Sequence, residues 1–141
     1  MKGLLCVIMK MKKDLTKCTL KDSGNRRTFL TGAKRDRGEA KVRPDLISPF
    51  FKFRIGEWLR LGADKYGERN WEKGIPQSVC VESLERHLMQ YQMGLEDEDH
   101  LAAIACNIMF LLHNDEKIKR GLLDKKQTTI ISDLPFYLKK K

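Results

Sequence analysis

Three segments with helical periodicity, separated by glycines, most constrain what this chain of 141 residues can fold into. The first begins at Ser48-Pro49, because serine can cap a helix and proline suits its first turn. Apolar residues then recur at helical spacing up to a stop at Gly67. This pattern predicts a first helix over residues 49–66.

Two further helices follow from the same signals. Pro76 and Ser78 open the second, which runs to Met93 and stops at Gly94. Acidic residues 96–99 open the third, since negative charge stabilises a helix N-terminus. Small residues in the third helix permit close helix packing: Ala102, Ala103, Ala105 and Cys106.

The remaining chain has weaker patterns. We expect a short fourth helix over 115–123 and a strand or extended arm over 128–131. The resulting division is a basic, largely irregular N-terminal arm (1–44), a helical domain holding the candidate catalytic residues (45–123) and a C-terminal extension (124–141). The predicted fold is all-α, a small helical bundle.

The net charge of +9 is unevenly distributed. Residues 1–44 hold 13 Lys and Arg against 4 Asp and Glu, whereas residues 45–114 hold 7 against 11. Nucleic-acid-binding domains more often carry positive charge on the folded body, so we do not expect a nucleic-acid partner. The acidic middle suits divalent cations.

Neither the cysteines nor the N-terminus indicates export or a membrane. Four widely spaced cysteines form no C-x-x-C pair, which argues against structural zinc and fits a reducing cytoplasm. The apolar start ends in lysines, lacks a cleavage site and is too short to span a bilayer. Translation from Met9 or Met11 instead of Met1 would remove it.

The stretch from Gly62 to Gly74 is rich in groups that bind nucleotides. Three cationic side chains, Lys65, Arg69 and Lys73, can donate hydrogen bonds to phosphate oxygens. Two aromatic side chains, Tyr66 and Trp71, can stack on a base. The alternative is a glycine-stopped helix end followed by a solvated loop. Taken alone, the stretch favours neither interpretation.

Acidic side chains on the second and third helices could share a metal ion. Glu82 and Glu85 lie on one helix face, and Glu96 and Asp99 repeat the same spacing. Magnesium prefers such oxygen ligands together with the phosphates of a substrate. The alternatives are a solvated face for the first pair and a helix N-terminus for the second.

Three polar residues interrupt these helices. Asn107 stands among apolar residues and must find a buried partner. His87 lies at the edge of the Glu82–Glu85 group. His87 and His100 are, as a class, more often structural hydrogen-bonding groups than ligands or bases.

The 62–74 stretch is similar to the signature of a phage and bacterial family of dATP/dGTP diphosphohydrolases, the MazZ-like proteins. Other pieces of that signature follow in order, with one upstream: Ser83-x-x-Arg86-His87, Gly94, Glu98-Asp99-His100-Leu101, Ala103, Asn107, and Thr31-Gly32-Ala33-x-Arg35-Asp36 followed by Lys41. The resemblance covers about residues 31–113.

This resemblance implies a fold related to MazG-type nucleoside triphosphate pyrophosphohydrolases. It also implies Mg²⁺ or Mn²⁺, assembly as a homo-oligomer, and cleavage of purine deoxynucleoside triphosphates to the monophosphate and pyrophosphate. The exposed aromatics expected on the first helix favour an oligomer too. The rival interpretation is a non-catalytic phage accessory protein that binds nucleotide, nucleic acid or a protein partner.

The implied roles fall on residues in three groups. The metal ligands are Glu82, Glu85, Glu98 and Asp99. The catalytic residues are Glu82, Glu85, Asp99 and His87. The substrate-binding residues are Lys65, Tyr66, Arg69, Asn70, Trp71, Lys73, Arg86 and Asn107. On this basis Asp99→Asn abolishes pyrophosphate release and leaves a folded protein.

Overall fold

The computed structural model describes residues 22–37 and 41–135. The apolar start, its alternative initiation codons and the lysine tail lie outside the described residues. The chain divides into two units, Met1–Pro44 and Asp45–Lys141. A 3-10 helix, Pro44–Leu46, contains the point of division.

The described part of the first unit contains a small β-hairpin. Strands β1 (Arg26–Thr28) and β2 (Lys34–Asp36) are antiparallel, with Arg27 opposite Arg35. Gly32 has a φ of 80° in the turn, a conformation that glycine adopts without a Cβ clash. The sequence patterns did not predict these strands.

Residues 45–135 of the second unit form a bundle of four α-helices, so the predicted all-α fold class is confirmed. Helix α1 spans Pro49–Tyr66, as predicted, and the Ser48 side chain accepts a hydrogen bond from the Phe51 amide. Helix α2 spans Gln77–Gln92. Helix α3 spans His100–Lys119, and helix α4 spans Lys125–Ile131.

The C-terminal part of the bundle differs from the prediction in two places. Residues 115–119 continue α3 instead of starting a separate helix, because no glycine or proline interrupts the chain before Gly121, whose φ is 63°. Residues 128–131 belong to helix α4 and not to a strand. Asp124 and Gln127 form a capping box at its start, and this local signal outweighs the β preference of the Thr-Thr-Ile-Ile run.

Small side chains fill the centre of the bundle, where α3 packs against α2 and α1. The buried apolar residues are Cys80, Ala102, Ala103, Cys106 and Ile131. Burial raises the pKa of Cys80, and that of Cys106 to about 11, so both thiols stay protonated at neutral pH.

The apolar residues that recur at helical spacing on α2 are Val81, Leu84, Leu88 and Tyr91, and none of them is fully buried. The buried residues of α2 are instead Gln77, Cys80 and His87, while Leu88 and Tyr91 are exposed. The buried residues of α2 and α3 are therefore a mixture of small and uncharged polar side chains. The functional side chains lie along the contact between α2 and α3.

Candidate functional site

A cavity of about 770 Å³ opens within the second unit beside the loop that joins α1 to α2. Its walls come from the second half of α1, this loop, the start of α2 and the middle of α3. Ligand pockets in proteins typically measure about 300–1,000 Å³. The cavity is therefore large enough for a nucleotide.

Aromatic rings form much of the cavity wall. Trp58, Tyr66, Trp71 and Phe110 line it. The Trp71 ring is stacked on Phe110, with centroids 5.1 Å apart and planes 19° apart, and meets His113 edge-on at 4.9 Å. Flat apolar walls of this kind accept a planar heterocycle.

Polar groups surround these rings. Arg60 lines the cavity and lies 3.1 Å from Asp64 and 3.3 Å from Glu57. Arg69 donates to Glu72 at 2.6 Å, and its φ of 55° is in the left-handed region. Each guanidinium thus stands beside a carboxylate at the cavity edge, where an incoming anion would compete for it.

The loop that carries Trp71 is fastened to the rest of the bundle. The Asn114 side chain, 1% exposed, donates to the Ile75 carbonyl at 3.2 Å. Ile131 lies so close to Gly74 that a Cβ there would be 2.6 Å from its Cδ1. These contacts hold the cavity wall in place.

Asn107 connects the cavity to the interior of the bundle. This residue is 9% exposed, lines the cavity and donates through Nδ2 to Ser83 Oγ at 3.2 Å and to the Ala103 carbonyl at 2.9 Å. The buried partner that the sequence demanded is therefore a serine on the facing helix.

The structure brings five of the eight predicted substrate-binding residues to the cavity: Tyr66, Arg69, Asn70, Trp71 and Asn107. Lys65, Lys73 and Arg86 are not among its lining residues. The Lys65 amine lies over the Tyr66 ring, and Arg86 contacts Glu82 and Ser83 at 3.4 Å.

The four predicted metal ligands are not gathered in one place. Asp99 caps α3 by accepting from the Ala102 amide at 3.0 Å, and it receives two hydrogen bonds from Arg54 at 2.8 and 2.5 Å. The Arg54 hydrogen bonds lower the pKa of the Asp99 carboxyl. Glu82 and Glu85 are exposed on α2. Within residues 22–37 and 41–135, no group of three ligand atoms that could hold a metal contains Glu82, Glu85 or Asp99.

A different group does converge, at the opposite end of the contact between α2 and α3. His87 Nδ1 lies 3.1 Å from His100 Nδ1 and 3.9 Å from Glu98 Oε2. His100 Nε2 lies 3.1 Å from Asp97 Oδ1. Burial lowers the pKa of His87, so its ring is neutral at pH 7.

Sequence patterns missed Trp58, Arg60, Phe110 and the role of His100. Trp58 is one of the apolar residues that recur at helical spacing on α1, and it lines the cavity and meets the His87 ring edge-on at 5.8 Å. The sequence does hold a signal for His100. It lies seven residues before Asn107, which is two helical turns, so the two polar side chains share one face of the helix.

The second unit is thus a helical domain with an aromatic cavity of nucleotide size. The family described as dATP/dGTP diphosphohydrolase, N-terminal, matches residues 31–125, about two thirds of the chain. The chain belongs to this family.

A relative supports the same family. A dATP/dGTP diphosphohydrolase of Salmonella phage PMBT28 is 30% identical over 87 residues, a match that covers 58% of this chain and 29% of the phage protein. The chain thus spans less than a third of that relative's length. No solved structure matches the chain. Among the described residues, no helix has the length and apolar character needed to cross a membrane.

Proposed function

We propose that this protein hydrolyses dATP and dGTP to the nucleoside monophosphate and pyrophosphate. The observation that carries the proposal is the cavity of about 770 Å³, whose aromatic walls suit a purine and whose edge presents guanidinium groups. Family membership and the name of the phage relative support the same substrates.

In this proposal the base lies among Trp58, Tyr66 and Trp71. Asn70 and Asn107 offer amide groups to its edge, since hydrogen bonds in an apolar site fix the orientation of a ligand. Arg60 and Arg69 donate hydrogen bonds to phosphate oxygens in place of their present carboxylate partners. Water attacks the α-phosphorus, and pyrophosphate leaves.

We propose Mg²⁺ or Mn²⁺ as the cofactor, but the structure does not identify the predicted carboxylates as its ligand set. The carboxylates Glu82, Glu85, Glu98 and Asp99 do not form a gathered ligand set among the described residues. They do not fit a preformed magnesium site. We therefore assign no step of the reaction to an ion held by these four groups.

We also propose that the protein is a homo-oligomer. No residue of α1 is buried, although the helix carries three phenylalanines near its start. Phe50 is 81% exposed and Phe53 68%. A second copy packed on this face would remove their rings from water, which is favourable by about 25 cal/mol per Å² of apolar surface.

The experiment that tests the activity is a product analysis. The protein is incubated with each of the four deoxynucleoside triphosphates and Mg²⁺ or Mn²⁺, and the products are separated by ion exchange. We expect dAMP or dGMP with an equimolar amount of pyrophosphate. Diphosphate with orthophosphate, or unchanged substrate under all conditions, would contradict the proposal.

A further inference from the structure

The two buried histidines at the end of the bundle are arranged like a pair of ligands. They come from different helices, His87 from α2 and His100 from α3, and each is less than a tenth exposed. Their Nδ1 atoms are 3.1 Å apart. Two nitrogens bound to one Zn²⁺ at about 2.0–2.1 Å lie roughly 2.9–3.4 Å apart for ordinary bond angles. The observed separation fits one shared ion.

Glu98 supplies a third donor. Its Oε2 is 3.9 Å from His87 Nδ1, and the three ligand atoms lie within 4.8 Å of one another. The Glu98 side chain is 49% exposed, so it can move towards the two histidines without displacing a packed core. The donor set is therefore two imidazoles and one carboxylate.

Asp97 and Trp58 provide the surrounding support that ligand histidines commonly have. Carboxylates only accept hydrogen bonds, so His100 Nε2 donates to Asp97 and keeps its Nδ1 lone pair free. The Trp58 ring meets His87 edge-on and restricts the orientation of that imidazole. Without a metal, His87 Nδ1–H donates to His100 Nδ1; to bind an ion through Nδ1, His87 would carry its single ring proton on Nε2 instead.

We propose that His87, Glu98 and His100 bind one divalent transition-metal ion, such as Zn²⁺ or Mn²⁺, with Asp97 orienting His100. Two nitrogens and one oxygen suit these ions better than Mg²⁺, which prefers oxygen ligands alone. A cleft of about 220 Å³ is lined by both Glu98 and His100, so water can complete the coordination. The proposal does not rest on the proposed hydrolysis.

Metal binding without nucleotide tests this proposal. The full chain is stripped with a chelator and titrated with Co²⁺, which is followed by its visible absorption, and with Zn²⁺, which is measured by atomic emission. We expect one equivalent of either ion to bind, and a hundredfold excess of Mg²⁺ to leave it in place. A wild-type protein that binds neither ion above buffer controls would overturn the proposal.

Variants locate the ion. The chain has three histidines, so His113→Gln is a matched control that should bind like the wild type, whereas His100→Gln should bind at least about 100-fold more weakly. Asp97→Asn should weaken binding about 10–100-fold while every ligand remains. Binding that survives the double substitution His87→Gln/His100→Gln would place the ion elsewhere and overturn the assignment.

Variants that lose metal binding because they are unfolded must be distinguished from variants that lose a metal ligand. Circular dichroism checks each variant before titration. Glu98→Gln alters a half-exposed side chain and should fold normally, and we expect it to weaken Co²⁺ binding at least about 10-fold. Unchanged binding in a folded Glu98→Gln protein would remove Glu98 from the ligand set and contradict the proposal as stated.

Discussion

The contact between α2 and α3 has two ends that differ in kind. At one end the connecting loop with Trp71 borders a wide aromatic cavity. At the other end the turn after Gly94 brings one ligand atom each of His87, Glu98 and His100 within 4.8 Å of one another. The first end offers a cavity of about 770 Å³ with flat aromatic walls, whereas the second offers donor atoms beside a smaller cleft of about 220 Å³. The proposed nucleotide site and the proposed metal site therefore lie at separate places along one helix pair.

Trp58 and Asn107 lie between these ends. Trp58 lines the cavity and touches the His87 ring, and Asn107 lines the cavity and bonds to Ser83, one turn before His87. A ligand in the cavity would press on side chains that pack against the histidine cluster. Substitutions at one end should therefore show whether the two ends act separately.

The largest expected effect concerns assembly, because a second copy on α1 would alter the surroundings of both ends. We predict that Phe50→Glu with Phe53→Glu converts the oligomer to a monomer, since carboxylates cannot be buried unpaired in an apolar contact. Light scattering after size-exclusion chromatography measures the mass. Leu122→Glu, at a 65% exposed position beyond α3, is the matched control and should keep the wild-type mass. A monomeric wild type would contradict the prediction.

The next effect separates the two ends directly. Trp71→Ala removes the ring stacked on Phe110, so we expect nucleotide binding to fall at least tenfold and unfolding free energy to drop by about 3 kcal/mol, the low end for large aromatic truncations because the ring is half-buried. Isothermal titration with a non-hydrolysable dGTP analogue and chemical denaturation measure the two quantities.

Trp71→Phe is the control for Trp71→Ala and should recover most of both losses, because it keeps a flat ring in the wall. Co²⁺ binding should be unchanged in either variant. Normal binding of the analogue by the Trp71→Ala protein would show that the base does not bind in this cavity. If Trp71→Ala instead lost both nucleotide binding and Co²⁺ binding, the two ends would act as one site.

A smaller effect tests whether Asp99 belongs to the metal end. Asp99→Ala removes the cap of α3 and should lower stability by about 1 kcal/mol, whereas Asp99→Asn keeps a capping side chain and should lose less. The family resemblance implied that Asp99→Asn abolishes pyrophosphate release. Because Arg54 engages the carboxylate, we instead expect Asp99→Asn to retain pyrophosphate release within about tenfold of the wild type. Complete loss of pyrophosphate release in a folded Asp99→Asn protein would contradict this expectation and would indicate that Asp99 is a metal ligand.

Local signals in the sequence predicted most helix bounds. Ser48 and Gly67 delimit α1, and Gly94 ends the α2 segment, because caps and positive-φ glycines depend only on neighbouring residues. The aromatic and amide residues of the cavity were found for a related reason, since their stretch is continuous in the chain.

Contacts between distant residues could not be predicted in this way. Arg54 and Asp99 are 45 residues apart, and nothing in either neighbourhood indicates that they pair. The histidine cluster likewise depends on how α2 and α3 are rotated against each other. The small residues predicted close packing of these helices, but they did not say which faces would meet.

The smallest expected effect concerns the segment after α4, which helps to hold the cavity end. Asp133 accepts hydrogen bonds from the Ser78 hydroxyl and from the Ser78 amide, the latter at 2.9 Å, and these bonds lower the pKa of its carboxyl below 3.8. A carboxyl with a lowered folded-state pKa stabilises the protein fully above its unfolded value, and this contribution disappears as the pH falls through the folded value. The melting temperature of wild type should therefore exceed that of Asp133→Asn by a constant margin above pH 5, and the margin should narrow below pH 4. A margin that is independent of pH would show that the charge of Asp133 does not stabilise this end, and that the hydrogen bonds alone join the segment to α2.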